Sequence, residues 1–442
     1  MEREERTEEH HARYIQVYKY YKELILSEQI PEGTRLPSIR KGSVQLQMSR
    51  TTMESAYLLL AAEGYIMAKP QSGYYVTDIA KKQKEMTALL RRQEKKKAEE
   101  ISYDFVTTGV DRESFRFELW SRYMKSALRQ DERLLSYGEP QGELEFREVL
   151  CEYLRKSRNV ICTPEQIVIG AGVQSLLQIL CPLIRERKKI AFYNPHFKQG
   201  ITVFRDFGFI CMDNYKEVQN GVYYITPSQM SDWGEVMPVS ERMKLIADAA
   251  ERDILLIEDD YNHEFQYFQK PAPALQSLTG GKGVVYLGTF SKMLLPSIRM
   301  SFMVLPIELT AAYEKKKNCY NQTASKAEQI ALTQFIRDGH LERQIRKSRK
   351  IHMTKAALFA EQAGNIWGRE ADIVIDESGF HVILEIPSKY DVEAFAGMAR
   401  KKGIAVLPAG EDNGKIKLGF ACTNVETENY DTVLKQIKEI AE

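Results

Sequence analysis

Apolar residues near the start of the chain recur at helical spacing, then give way to short alternating runs. Ile15, Val17, Tyr18, Tyr21, Leu24 and Ile25 fall close to one stripe of a helix over residues 14–27. Pro31 and Gly33 mark a turn, and LPSIR opens a second helix with Pro37 and Ser38 suited to its first positions. Gln47-Met48 makes a short turn before Ser49, which is placed to cap a third helix. That helix has an apolar side of Met53, Ala56, Tyr57, Leu59 and Leu60, and Gly64 at its end. Tyr65–Met67 and Tyr74–Val76, either side of a Pro70–Gly73 turn, read as a hairpin. From about residue 101 strand-like and helical blocks alternate, which implies an open α/β sheet. Its strands are expected at IVIG (167–170) and within KIAFYNPHF, GVYYITPSQ and DILLIEDDYNHEF, with a further apolar run at Val284–Leu287 that ends in a small-residue turn.

Helix, helix, short turn, helix and two-stranded wing is the order of a winged helix-turn-helix, whose third helix enters a major groove. Ser49, Arg50, Thr51 and Thr52 stand at the N-terminal end of that helix, where hydrogen-bond donors meet DNA. Arg35, Ser38, Arg40 and Lys69 are spaced to reach phosphates from the turns and the wing. A small helical cap or dimerisation domain gives the same bare pattern. Residues 80–100 hold eight Lys/Arg and four Glu, as a charged tether would, helical in part around Met86–Leu90. Its basic run at 95–97 serves either solubility or loose contact with phosphates.

Chemistry concentrates in 284–304, VVYLGTFSKMLLPSIRMSFMV, where a buried-looking strand ends in a small-residue turn. Lys292 stands there with Thr289 and Ser291 before it and Arg299 seven residues after. An amine so placed can condense with an aldehyde while the hydroxyls and guanidinium hold a phosphate dianion. Pyridoxal 5'-phosphate carries both groups; a solvated Lys-Arg surface pair is the plainer reading. The strand ILLIEDDY delivers Asp259, Asp260 and Tyr261 at its C-terminal end, where open sheets bind ligands. An aspartate there pairs with a protonated pyridine nitrogen, the alternatives being a metal ligand or a capped strand end. The glycine-rich entry to the helix after IVIG offers backbone N–H groups to an anion, and Phe197 is placed to stack on a ring.

Composition narrows the field. The chain has 442 residues, 43% hydrophobic and 28% charged, and a formal net charge of +1, so any nucleic-acid site must be local. No run is long and apolar enough to span a membrane, and the charged MEREERTEEHHARY start is unlike a secretory signal. Six cysteines without a CxxC pair fit a reducing cytoplasm and offer no metal knuckle.

Two resemblances sharpen these expectations. EGTRLPSIR, SRTTMESAYLLLAAEGYI and SGYYV resemble the winged-helix domain of GntR-type bacterial regulators, with Gly42-Ser43 where that family carries Leu-Ala. YGEPQGELEFREVL, GAGVQSLLQIL, TPSQ, IEDDYNHEF and GTFSKMLLPSIRMSFMVLP resemble fold-type I aminotransferases. Together, in this order, they resemble the MocR/GabR regulators. The resemblance implies a winged helix over 1–79, a linker over 80–100, a large aminotransferase-like domain over 101–324 and a small one over 325–442. It implies that Lys292 forms the bond to pyridoxal phosphate, with Asp259 on the pyridine nitrogen and Tyr261 near the 3'-oxygen. Arg299, Ser291, Gly172, Val173 and Gln174 would form the phosphate cup, and Phe197 would stack on the ring. Tyr137 would reach the neighbour's phosphate in a head-to-tail homodimer.

The implied function is regulation of operator DNA by an amine or amino acid that displaces Lys292 as an external aldimine; the alternative is an aminotransferase with an accessory winged helix. Two departures bear on turnover. Lys417 stands where the family's arginine grips the substrate carboxylate, and ammonium lacks the planar fork of guanidinium. Gln229-Met230 replaces a His-Gln pair, and Trp233 is expected to narrow the pocket. His381 is expected to fill a structural place on a strand.

Overall fold

Residues 1–100 and 101–442 form two units, each with its own packing, in this computed structural model. The structure describes residues 2–79, 101–107, 110–231, 235–261, 263–265, 272–376, 381–412 and 414–442. The linker expected at 80–100, with its basic run, and Trp233 lie outside the described residues.

In the first unit α1 (Glu2–Leu26), α2 (Ile39–Gln45) and α3 (Arg50–Ala62) precede a hairpin of β1 (Ile66–Lys69) and β2 (Gly73–Val76). Ser49 caps α3 by accepting the Thr52 N–H at 3.0 Å, and Gly64 leaves it with φ +80°. Met53, Ala56, Tyr57 and Leu60 then face Val17, Tyr21 and Ile25 of α1 in one buried cluster. This is the i, i+3, i+4, i+7 spacing that puts four side chains on one face. Tyr57 sits edge-on to Tyr21 and Tyr74 and donates to the Pro37 carbonyl at 3.0 Å, tying all three layers together. Gly42 leaves room for Met53, whose Cε a Cβ at 42 would meet at 2.5 Å, so the departure from Leu-Ala has a packing reason.

The second unit opens with β3 (Tyr103–Asp104) and α4 (Leu144–Arg158). Its main sheet comprises β4 (Ile167–Gly170), β5 (Lys189–Phe192), β6 (Ile210–Met212), β7 (Val222–Ile225), β8 (Leu255–Asp259), β9 (Val284–Thr289) and β10 (Ser301–Val304). The strand order is β4-β10-β9-β8-β7-β5-β6. β10 runs antiparallel to both neighbours, while β9, β8, β7, β5 and β6 are parallel. Successive residues serve opposite faces: Ile167 and Ile169 join one cluster and Val168 the other, as Tyr286 does against Val285 and Leu287. Burial on both faces explains why these strands read as continuous apolar runs. Helices α5 (Val173–Leu183) and α6 (Leu275–Leu278) follow β4 and β8.

Packing changes along α7 (His340–Trp367): Leu341 and Ile345 belong to the main-sheet core, Ala356, Phe359 and Ala363 to a second core. That second core underlies the antiparallel sheet β11-β12-β15-β14, made by β11 (Asp372–Ile375), β12 (His381–Pro387), β14 (Leu407–Asp412) and β15 (Lys415–Ala421). The short strand β13 (Ile404–Ala405) pairs with β3, and Phe105 packs in the same core. The terminal helix α8 (Tyr430–Ala441) covers it with Val433, Leu434 and Ile437. His381 is buried and 2.8 Å from the Asp376 carboxylate, a structural place on β12.

Candidate functional site

Five strands of the main sheet send their C-terminal ends into one cavity of about 480 Å³. From β4 come Gly172, Val173 and Gln174; from β5, Asn194, His196 and Phe197; from β7, Tyr224 and Thr226; from β8, Asp259 and Tyr261; from β9, Thr289, Ser291 and Lys292. Arg299 and Ser301 close it from the antiparallel strand. Of the cofactor residues expected from sequence, the cavity gathers all but Tyr137, which is fully exposed.

Lys292 lies with its Nζ 4.6 Å from the centre of the Tyr261 ring. Burial pushes its pKa down to about 8, against the pull of the Asp259 carboxylate. A neutral amine is the nucleophilic form, so the cavity makes this lysine reactive near neutrality. Asp259 moves the other way: burial raises its carboxyl to about 7, partly offset by Tyr224, whose hydroxyl donates to Oδ2 at 2.5 Å.

The three consecutive acids of β8 and its turn have separate fates. Glu258 accepts the N–H groups of Leu275 and Gln276 at 2.9 and 3.0 Å, at the start of α6. Asp260 is met by Arg158 at 2.6 Å, Ser228 at 2.5 Å and Tyr286 at 2.7 Å, and the Arg158 guanidinium holds its carboxyl well below the usual range despite burial. Among the described residues, Asp259 Oδ1 is buried with no hydrogen-bond partner. A carboxylate oxygen stripped of water and left bare costs free energy unless something donates to it.

The opposite end of the cavity suits an anion. Gly172 has φ +96°, and a Cβ there would stand 2.5 Å from an Arg299 guanidinium nitrogen, so only glycine lets Arg299 lie across the start of α5. Arg299 is itself left-handed at φ +48°. Ser301 Oγ donates to Thr289 Oγ1 at 2.9 Å, and Thr289 to Ser291 Oγ at 3.2 Å, lining the same end with hydroxyls. Guanidinium, hydroxyls and a helix N-terminus are the donors a phosphate dianion needs. Phe197 stacks obliquely on Tyr224 with centroids 5.1 Å apart, and Gly200 makes room for its ring. An aldehyde-bearing, phosphorylated pyridine fits this set: amine at Lys292, bare acceptor at Asp259, anion cradle at Arg299. Among the described residues no group of three or more His, Cys, Asp or Glu could hold a metal ion.

Lys417 stands apart. Its ammonium is 3.3 Å from Glu385 and 4.0 Å from Asp412 on neighbouring strands, and it does not line the cavity. Gln229 and Met230 line a smaller adjoining recess with Tyr193, His196 and Tyr261. Sequence reasoning missed Tyr224, Asn194, Thr226 and Ser301. Tyr224 had no distinguishing signal, since Tyr223 beside it in the same apolar strand is alike; Asn194 and Thr226 had none beyond their place after strands, and Ser301 none beyond opening one.

On the winged helix, Arg35, Ser38, Arg40, Ser49, Arg50, Thr51 and Lys69 are exposed. Thr52 is not: it is buried, its hydroxyl 2.7 Å from Ser49 Oγ inside the cap. Ser38 and Ser49 also spend an oxygen on capping α2 and α3. Arg35 lies against the wing at Gly73, and Lys69 rests 4.5 Å over the Tyr75 ring.

Residues 114–437 match the aminotransferase class I and II family, and residues 13–76 match the gntR family of bacterial regulatory proteins. The uncharacterized HTH-type transcriptional regulator YdeL of Bacillus subtilis is 35% identical over 430 residues, 92% of this chain and 92% of its own length. A probable rhizopine catabolism regulatory protein, MocR, of Rhizobium meliloti is 25% identical over 425 residues, 89% of this chain and 85% of its own. An archaeal alanine:glyoxylate aminotransferase superposes with a TM-score of 0.65 at 20% identity, over 81% of this chain and 94% of its own, a likeness of fold. No helix among the described residues is long and apolar enough to cross a membrane.

Proposed function

Because the chain belongs to the MocR/GabR-type regulators, a GntR domain joined to an aminotransferase class I and II domain, we propose that it is a pyridoxal-phosphate-dependent transcription regulator that senses an amine or amino acid. The carrying observation is the bare Asp259 Oδ1 in the same cavity as an amine whose pKa burial lowers to about 8. When bound, the cofactor supplies an aldehyde for amines and an electron-withdrawing ring. Lys292 would supply the amine that holds it covalently. Asp259 would accept from a protonated ring nitrogen, its other oxygen fixed by Tyr224. Tyr261 and Phe197 would flank the ring, and Arg299, Ser291 and the N–H groups at Gly172, Val173 and Gln174 would hold the phosphate.

An effector amine would enter the cavity beside Lys292 and compete with it for the bound group. Regulation then requires that the effector bind two arrangements of the protein with different affinity, since equal affinity shifts nothing. The DNA face is Arg50 and Thr51 at the open end of α3, with Arg35, Arg40 and Lys69 on phosphates. A head-to-tail homodimer in the cytoplasm gives Tyr137 its role: fully exposed here, it would reach the partner's phosphate. The second reading, an aminotransferase, draws on the complete Lys292, Asp259 and Tyr261 set. Against efficient turnover, Lys417 is engaged with Glu385 and Asp412, and Arg299 at the anion end is the one arginine among the described lining residues. A spectral titration of the cofactor-loaded protein with a panel of amines and amino acids, paired with a mobility shift on its upstream DNA, separates the readings. A ligand that changes both spectrum and shift supports the regulator; stoichiometric amino-group transfer with turnover and no DNA retention at modest salt supports the enzyme.

A further inference from the structure

Two of the six cysteines, which carry no part in the cavity, meet where α4 packs against the main-sheet core. Asn159 ends that helix in a left-handed turn (φ +54°), and the chain doubles back beside it toward β4. Two clamps hold the returning segment. On one side Gln276 accepts the Ile161 N–H at 2.9 Å and donates to the Ile161 carbonyl at 2.6 Å. On the other, Arg147, one helical turn before Cys151, donates to the Pro164 carbonyl at 2.8 Å. Between the clamps Cys162 Sγ rests 3.2 Å from Cys151 Sγ, and the Cys151 S–H donates to the Cys162 carbonyl at 3.2 Å. Both are half-buried thiols, whereas Cys181 and Cys422 are buried. A disulfide needs its sulfurs about 2.05 Å apart, so the pair is roughly 1 Å from bonding distance on segments whose positions are already fixed.

We propose that Cys151 and Cys162 are a reversible dithiol–disulfide site that reacts with small-molecule disulfides of the glutathione class. The roles divide by hydrogen bonding. On losing the proton it donates to the Cys162 carbonyl, Cys151 can accept the Cys162 S–H across the 3.2 Å between the sulfurs, which favours thiolate at Cys151 and pushes the Cys162 thiol up. Cys151 therefore attacks. Having given its proton to solvent, its thiolate displaces one thiolate from the disulfide RSSR, forming Cys151–S–S–R, and the leaving RS⁻ takes up a proton. Cys162 then loses its proton and attacks Cys151 Sγ, forming the Cys151–Cys162 bond and expelling the second RS⁻, which is protonated in turn. Two protein thiols are oxidised and one RSSR is reduced to two RSH; excess RSH runs the exchange backwards. The bond would fasten α4, which carries Arg158 against Asp260, to the segment entering β4, which ends at the Gly172 turn.

The test uses the full chain with Cys211→Ser and Cys319→Ser, which removes the other two accessible thiols. After treatment with oxidised glutathione, unfolding and thiol titration should find free thiols fallen from four to two, and non-reducing peptide mass spectrometry should find Cys151 linked to Cys162. Adding Cys162→Ser should halt the reaction at a single glutathione adduct on Cys151. The unmutated chain should give the same linked peptide, which guards against a folding defect in the variants. Four thiols surviving, separate adducts on Cys151 and Cys162 with no link, or a link to Cys181 or Cys422 would each overturn the proposal.

Discussion

Burial displaces Lys292 and Asp259 each toward its neutral form, one to about 8 and the other to about 7, which gives each a pH signature. Only the neutral Lys292 amine attacks an aldehyde. Capture of pyridoxal phosphate by the cofactor-free protein should therefore speed up about tenfold per pH unit below roughly 8 and level off above it. Stopped-flow absorbance from pH 6 to 9 measures this; a flat profile would mean that another step or another amine is limiting. For Asp259 the folded-state pKa is raised, so its contribution is present below the unfolded value near 4 and lost as pH rises through about 7. Relative to Asp259→Asn, the cofactor-free wild type should lose up to about 4 kcal/mol of stability between pH 4 and pH 7. Parallel urea melts at several pH values give that difference. The same variant should hold the cofactor at least roughly tenfold more weakly, because the ring N–H loses its charged acceptor.

At the scale of elements, the sheet's C-terminal edge assembles the site, and the Gly172 turn between β4 and α5 is its tightest point. Gly172→Ala puts a methyl 2.5 Å from the Arg299 guanidinium at φ +96°. Backbone strain of about 1 kcal/mol is expected, with phosphate affinity falling about tenfold or more as Arg299 is pushed off the helix start. Calorimetry with pyridoxal phosphate against pyridoxal separates the two costs, since pyridoxal lacks the phosphate and should bind both proteins alike. This scale also shows what the residue pattern could convey. Lys292, Asp259 and Gly172 were legible because each follows an apolar run whose end is unmistakable. Tyr224 was not, because its role comes from lying one strand over from Asp259, a neighbour the linear order hides. Thr52 and Lys417 lie elsewhere than expected for a related reason: a hydroxyl at a helix start can turn inward to its own cap, and an ammonium on a sheet takes the nearest carboxylates. Ser49 was legible as the cap but not as the partner of the Thr52 hydroxyl, and Glu385 becomes visible only in three dimensions.

The whole molecule has two units, proposed as a DNA-binding head and a cofactor-holding body, and mutations in each should report separately. Arg50→Ala should weaken operator binding by about 1–3 kcal/mol while leaving the cofactor's absorbance unchanged. A mobility shift and a spectrum of the same preparation test that independence. Tyr137→Phe should weaken cofactor retention in a dimer, and sedimentation of the loaded protein should find no monomer at the concentration where retention is measured. The central claim is that Lys292 captures the cofactor in this cavity. Its most direct test is the visible spectrum of the wild type and Lys292→Ala after each is mixed with pyridoxal phosphate and reduced with borohydride. Wild type should keep a covalent adduct that peptide mass spectrometry finds on Lys292, and the variant should release all of its cofactor on denaturation; an equal covalent yield in both, or an adduct on a different lysine of the wild type, would contradict it.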